Sequence, residues 1–394
     1  MDLPNFINRQ RFNRRHFIKY TSLAFGASVF SAPYLVRAKN NNSVQGTVQS
    51  GGGGTAIPLP GAEVSLYEAT DDAPRLLGTG TTNARGDFSI QSRAGGQSSD
   101  SMFYVTADLG EGLQLVSIIG PSLSPLVTLN ELTTVAAGYS FAQFTQEGVL
   151  SGEAFGLQIA SGMNDNLVSP ITGESSPVLL SSPNGDETNS LRSTRALANL
   201  LALFVRSGGS GLDTLFALAT APGGDPPTNL LQALSNIARY PQQNVAQIYA
   251  LATEVEFYSP SLIRMPDAWT IVVKVNDTGS DDYLFGGPGN IAFDADGYAW
   301  ITNNVVQGTP NSGRFNVVLK PNGQPADGTR GTPKSPLLGG GLLGAGYGVG
   351  IAPNGHAWFG NFGWGGPAER SGRRAGAVQR RWHRRALGPD GGWP

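Results

Sequence analysis

Few side chains in this 394-residue sequence are suited to chemistry. Histidine occurs three times, as His16, His356 and His383, and cysteine is absent. A Ser-His-Asp triad or a multi-histidine metal site needs more than these scattered positions offer. Without cysteine, thiol catalysis, disulfides and a lipid-modified N-terminal cysteine are excluded. Asp294-Ala295-Asp296-Gly297 opens like a calcium loop. Such a loop needs further ligands and a distal glutamate, and Trp300 stands in the way. Turn formation accounts for both aspartates. Asp281-Asp282 lies in a polar stretch before Tyr283 and reads as solvated. Gly339-Gly340-Gly341 lacks the Lys-Ser/Thr that follows in a phosphate-binding loop. No catalytic residue and no metal ligand is assigned.

Composition limits the remaining choices. The charged fraction is 14% and the formal net charge is −2, so the basic surface of a general nucleic-acid binder is missing. The 54 glycines are dispersed through turn-like positions rather than periodic. Together with alternating apolar residues they predict many short strands joined by tight turns. The length suits two or three domains.

Residues 1–38 have three parts. A polar, basic stretch ends in Asn13-Arg14-Arg15-His16-Phe17-Ile18-Lys19. An apolar run from Tyr20 to Ala32 follows, diluted with Gly and Ser. Pro33 and Val36-Arg37-Ala38 then place small or aliphatic residues, Val36 and Ala38, where a signal peptidase reads. The run is shorter than the ~20 apolar residues that a membrane span requires, and no other segment qualifies. Arg14, Arg15, Phe17, Ile18 and Lys19 resemble the twin-arginine export consensus. That resemblance implies a bacterial protein carried by the twin-arginine translocase to the periplasm or beyond.

The next segment, 43–118, alternates. Val44, Gly46 and Val48 begin a strand, and Ala62, Val64 and Leu66 alternate with Glu63, Ser65 and Tyr67. Asn83 to Gly86 predicts a turn that leads into inward-facing Phe88 and Ile90. Phe103, Val105 and Ala107 make a further strand. The run Ile57-Pro58-Leu59-Pro60-Gly61-Ala62-Glu63-Val64-Ser65-Leu66, followed by the hairpin around Asn83 to Ile90, resembles carboxypeptidase-regulatory-like, transthyretin-like modules. The resemblance implies a β-sandwich of non-catalytic character.

Residues 125–260 read as helical. Asn130-Glu131 predicts a helix start before Leu132, Val135, Ala136, Phe141 and Phe144. Leu191, Ala196, Leu197, Leu200, Leu201, Phe204 and Val205 fall at helical spacing, and Gly208-Gly209 stops that helix. Leu230, Leu231, Leu234 and Ile237 mark another, which Pro241 breaks before Val245, Ile248, Tyr249 and Leu251.

Residues 266–366 repeat. The stretch from Gly287 to Asn303 can be laid over that from Gly346 to Asn361: an apolar strand, an Asp-Gly or Asn-Gly turn, then x-Ala-Trp and a second strand. His356 takes the place of Tyr298, so it reads as an interchangeable turn position. The copies lie 58 residues apart, beyond a typical repeat of ~40–45. The Gly-rich insertion near Leu337 to Gly346 accounts for the excess. Phe315 to Pro325 supplies an outer hairpin between them. These copies look like blades of NHL and streptogramin-lyase-like β-propellers. Closure needs at least about four blades, and about two are present. After Gly366 the composition changes: Arg370, Arg373, Arg374, Arg380, Arg381, Arg384 and Arg385 crowd together. Residues 367–394 read either as an anion-binding arm or as a continuation in a shifted reading frame from near Pro367.

The expected fold class is therefore mainly β with a helical insert: an N-terminal β-sandwich, a central α-helical region and a C-terminal partial β-propeller. The expected function is an exported, non-catalytic binding or scaffold protein whose propeller offers a platform for glycan or protein ligands. The alternative is a propeller enzyme of the lyase or lactonase type. Only under that alternative is a cofactor implied, a divalent metal.

Overall fold

The computed structural model describes residues 43–92, 101–361 apart from a few positions within 307–310 and 339–343, and 378–380. The leader residues Arg14, Arg15, Phe17, Ile18, Lys19, Val36 and Ala38, and most of 367–394, lie outside the described residues. The described part is mainly β with helices inserted between its sheets, and none of these sheets closes on itself.

Two four-stranded sheets come first. Strands β1 (Ser43–Ser50), β2 (Ile57–Pro58), β5 (Asp87–Gln91) and β8 (Leu126–Leu129) form one; β3 (Glu63–Ala69), β4 (Arg75–Thr81), β6 (Met102–Asp108) and β7 (Gln114–Gly120) form the other. In the first sheet β5 pairs with the start of β1 and β2 with its end, while β8 runs parallel to it. The second sheet is an antiparallel array in the order β4-β3-β6-β7. The turn before β5 is closed by Gly86 N–H bonding to the Asn83 carbonyl.

Helices follow. Helix α1 (Glu131–Ser140) leads to the short hairpin β9 (Thr145–Gln146) and β10 (Val149–Leu150), then α2 (Ala154–Asp165) and the single turn α3 (Pro177–Leu180). Helices α4 (Ser190–Arg206), α5 (Leu212–Leu218), α6 (Leu230–Arg239) and α7 (Val245–Ala252) complete the set. Helix α1 stops at Ser140 rather than continuing through Phe144. Phe141 caps it, and Ala142–Phe144 forms one tighter turn.

One apolar core joins sheets and helices. Val44, Phe88, Val64, Leu66, Val105 and Leu115 share it with Leu132, Leu197, Leu201, Leu234 and Trp269. Burying each such side chain stabilises the fold by about 1.5–3 kcal/mol. Strand β6 is buried on both faces. Its Phe103, Val105 and Ala107 face this core as their alternation predicts, but Met102 and Tyr104 are also covered, by Phe141, Leu150, Leu157 and Leu231. A sheet covered on both sides needs no polar face, so alternation alone understates its burial.

The chain then crosses to the C-terminal sheets. Asn184 fixes this crossing: its side-chain amide donates to the Lys274 carbonyl and accepts from the Lys274 N–H, both at 2.8 Å. Strands β11 (Pro288–Phe293), β12 (Ala299–Asn303), β13 (Phe315–Leu319) and β14 (Leu337–Leu338) form an antiparallel meander. Strands β15 (Ala345–Ile351), β16 (Ala357–Asn361) and β17 (Val378–Arg380) form a second. Within the arginine-rich stretch, Val378–Arg380 thus pairs as a third strand, where the sequence offers no strand alternation.

Candidate functional site

The most elaborate polar arrangement surrounds Glu131, which is fully buried. Its position follows from the start of α1. The Asn130 side chain accepts from Thr133 N–H and the Thr133 hydroxyl accepts from Asn130 N–H, each at 3.0 Å, a reciprocal cap. The Asn130 amide also donates to the Gly173 carbonyl at 2.8 Å. Glu131 is thereby held in the first turn, beneath the end of β1.

Three donors converge on its carboxylate. The Ser50 hydroxyl donates to Oε1 at 2.5 Å; Gly51 N–H and the Tyr258 hydroxyl donate to Oε2 at 2.9 and 2.6 Å. Arg206, the last residue of α4, donates through Nε to the Ser50 hydroxyl at 3.1 Å and through Nη2 to the carbonyls of Ser50 and Thr55. The Ser50 hydroxyl, occupied as an acceptor by Arg206, is left to donate to Glu131. The guanidinium also lies 3.6 Å above the Phe257 ring. Asn199 fixes the segment that carries Phe257 and Tyr258, accepting from both N–H groups and donating to the Tyr258 carbonyl. Glu174 accepts from Gly53 N–H at 2.8 Å. Gly51 has φ +86°, and a Cβ there would lie 2.5 Å from Arg206 Nη2, so glycine is required.

Electrostatically, burial pushes the Glu131 carboxyl above its ordinary range, and the three hydrogen bonds oppose that shift. Burial, then the neighbouring Glu131 charge, pushes the Tyr258 hydroxyl well up. All the surrounding polar groups are engaged in joining four chain segments. The arrangement therefore acts as a clasp between β1, α1, α4 and the 257–258 segment.

A second feature is a cleft of about 290 Å³ beside the end of α2, lined by Ile119, Ser124, Asp165, Ile171 and Pro177 among others. Asp165 is open to solvent along one side. Partial burial of its carboxyl raises its pKa to about 6.

In the C-terminal sheets Asp294 makes the turn that its spacing predicts. Its Oδ1 accepts from Asp296 N–H and Tyr298 N–H, and its Oδ2 accepts from Trp300 Nε1 at 2.8 Å. Asp281 and Asp282 are exposed. His356 is buried after the Asn354-Gly355 turn, with its N–H bonded to Asn354 Oδ1. Among the described residues no cluster of three or more His, Asp or Glu is arranged to hold a metal ion, and no helix is long and apolar enough to cross a membrane.

Sequence reasoning saw Glu131 only as a helix-start residue. Its partners Ser50, Gly51, Arg206 and Tyr258 stand up to 127 residues away, so no local pattern joins them. Asp165 carried no signal at all.

No known family and no curated protein matches the chain. Among solved structures, it is similar to a 9R-lipoxygenase from Cyanothece PCC8801 at 12% identity and a TM-score of 0.15. That likeness covers 48% of this chain and 27% of the lipoxygenase. At this score it bears on neither fold nor function.

Proposed function

We propose that the protein is an exported bacterial scaffold that presents a non-catalytic binding platform. Residues 1–38, with Arg14-Arg15, act as its twin-arginine leader and direct it to the periplasm or the exterior. The two N-terminal sheets form a transthyretin-like sandwich that spaces or attaches it. The C-terminal sheets act as propeller blades that meet a glycan or protein ligand.

The observation that supports this reading is the shared register of the two C-terminal meanders. Ile291, Ala292 and Phe293 pair with Ile301, Trp300 and Ala299. Val349, Gly350 and Ile351 pair with Phe359, Trp358 and Ala357. Every one of these pairs is repeated at an offset of 58 residues, and each meander carries a register shift nearer the start of its first strand. Such repetition, with an Asp-Gly or Asn-Gly turn in each copy, is how blade arrays are built.

Fractionation of a bacterial host tests the export half. Wild-type protein is expected in the periplasmic or secreted fraction, and the Arg14→Lys, Arg15→Lys variant in the cytoplasm. Retention of the wild type in the cytoplasm would defeat it. Purified protein on a glycan array and against envelope extracts tests the binding half. Turnover of a lactone or polysaccharide panel, lost on chelation, would replace the scaffold by a metal-dependent enzyme.

A further inference from the structure

Helix α2 finishes on a residue that a helix end of this polarity does not favour. Asp165 is its last residue, where the aligned peptide dipoles leave partial negative charge, and no basic residue lies in that turn. Among the described residues no group donates to the Asp165 carboxylate, and burial alone shifts its pKa. The residue before it, Asn164, is fully buried, and neither its amide oxygen nor its amide nitrogen has a hydrogen-bond partner. One turn thus carries two polar groups that the fold leaves unsatisfied. Natural proteins keep local conflicts of this kind chiefly at functional sites.

Asp165 stands in the wall of the 290 Å³ cleft. Ile119, Val168, Pro170, Ile171 and Pro177 give that cleft apolar surface, and no Lys, Arg or His lines it. Ser124 and Ser176, which also line it, direct their hydroxyl hydrogens to the carbonyls of Leu126 and Asn166. The cleft therefore presents hydrocarbon and a carboxylate but no positive charge. An anion would meet only like charge there. A metal ion would find a single carboxylate, where a site needs several ligands. No aromatic ring is present to cage a quaternary ammonium. The volume lies at the lower edge of the roughly 300–1,000 Å³ typical of small-molecule pockets, which restricts the occupant's size.

We infer that this cleft binds a small primary amine, whose ammonium group donates to Asp165 while its short aliphatic body lies against Ile171 and Pro177. A protonated amine brings both things that the end of α2 lacks, a hydrogen-bond donor and a positive charge. Its hydrocarbon covers apolar surface that is otherwise wet: Ile171 is 55% exposed. The inference stands on the cleft and the helix end, independently of the export and platform readings.

Saturation-transfer NMR of the full chain with n-pentylamine tests it, at about pH 8, above the pKa of Asp165 and below the ~10.4 of an aliphatic amine. The wild type is expected to bind n-pentylamine about tenfold or more tightly than n-pentanol, the margin that a hydrogen bond to a charged group supplies. Asp165→Asn is expected to abolish that preference and to leave the weaker affinity for the alcohol in place. Ile171→Ala is expected to weaken n-pentylamine more than ethylamine, because the longer chain covers more of the apolar wall. Circular dichroism and a thermal melt confirm that each variant is folded. Equal binding of amine and alcohol by the wild type overturns the proposal, as does a preference for the amine that survives Asp165→Asn. Absence of transfer to the amine in the wild type overturns it too.

Discussion

The part of the chain from residue 43 to 269 and the two sheets from 288 to 361 bury their apolar residues by different routes. In the first, a single core gathers side chains from Val44 to Trp269, and β6 is covered on both faces. Its polar centre joins residues as distant as Ser50 and Arg206. In the second, each sheet is a local meander and the cores are small, one between the sheets and one beneath the first. The first region is therefore expected to respond as a unit. The second is expected to respond sheet by sheet, as repeat arrays do when each unit touches only its neighbours. Register equivalents there need not be energetic equivalents: Trp300 is 2% exposed and Trp358 39%.

The tryptophan pair separates the two routes most directly. Trp300→Ala is expected to cost about 3–5 kcal/mol, as large core truncations do. Trp358→Ala, at a side chain 39% exposed, is expected to cost clearly less, about 1–2 kcal/mol. Urea denaturation followed by circular dichroism measures both. Equal losses would mean that Trp358 is held as firmly as Trp300.

The clasp tests the first region. Glu131→Ala leaves the Ser50, Gly51 and Tyr258 donors without their acceptor in the interior. Each orphaned buried donor costs about 1–3 kcal/mol, so a loss of roughly 3 kcal/mol or more is expected. Glu131→Gln keeps the shape and one acceptor oxygen and is expected to lose less. If these sheets and helices act as a unit, the Glu131→Ala transition should stay a single step when followed at Trp269, with the other five tryptophans, at 300, 358, 364, 382 and 393, replaced by Phe. A separate early step confined to α1 would show that the core is not cooperative.

The smallest effect is a pH slope at Asp165. Its folded pKa of about 6 lies above the ordinary 3.8. Stability from this group is therefore fully present below pH 3.8 and is lost as pH rises through 6. The side chain is partly open to solvent, so the slope should be shallow. Asp165→Asn is expected to remove it, and thermal melts between pH 4 and 7 would detect its absence. An unchanged slope would assign it to other groups.

Much of the local structure was legible in the sequence. Val64 and Leu66 are buried along β3, and Ala62 just before it, as their alternation requires. Asn130 caps a helix, Asn83 to Gly86 turns, and the two x-Ala-Trp stretches are β12 and β16. Each of these signals lies within a few residues of what it specifies. Helix α2 was not legible, because glycines at 156 and 162 weaken its pattern and Glu153, an uncommon cap, starts it. The covered outer face of β6 was not legible either, because the helices that cover it arrive later in the chain. Glu131 is the extreme case: an acidic residue in a first turn is ordinary, and only the fold shows that it is sealed off from water.

Strand β1 has one more consequence, for the order of events during synthesis. It is the first described strand to leave the ribosome, yet it is an interior strand, bordered by β5 and β8. Its end is tied down by Arg206 and, through Glu131, by Tyr258. The strands of this sheet are all made by Leu129, but the ties on the end of β1 are incomplete until some 258 residues have emerged, and contacts this distant in sequence form slowly. Through most of translation, whatever lies before Ser43 is tethered to an unfinished body. The last turn of α4 and the segment around Tyr258 complete the ties on the end of β1.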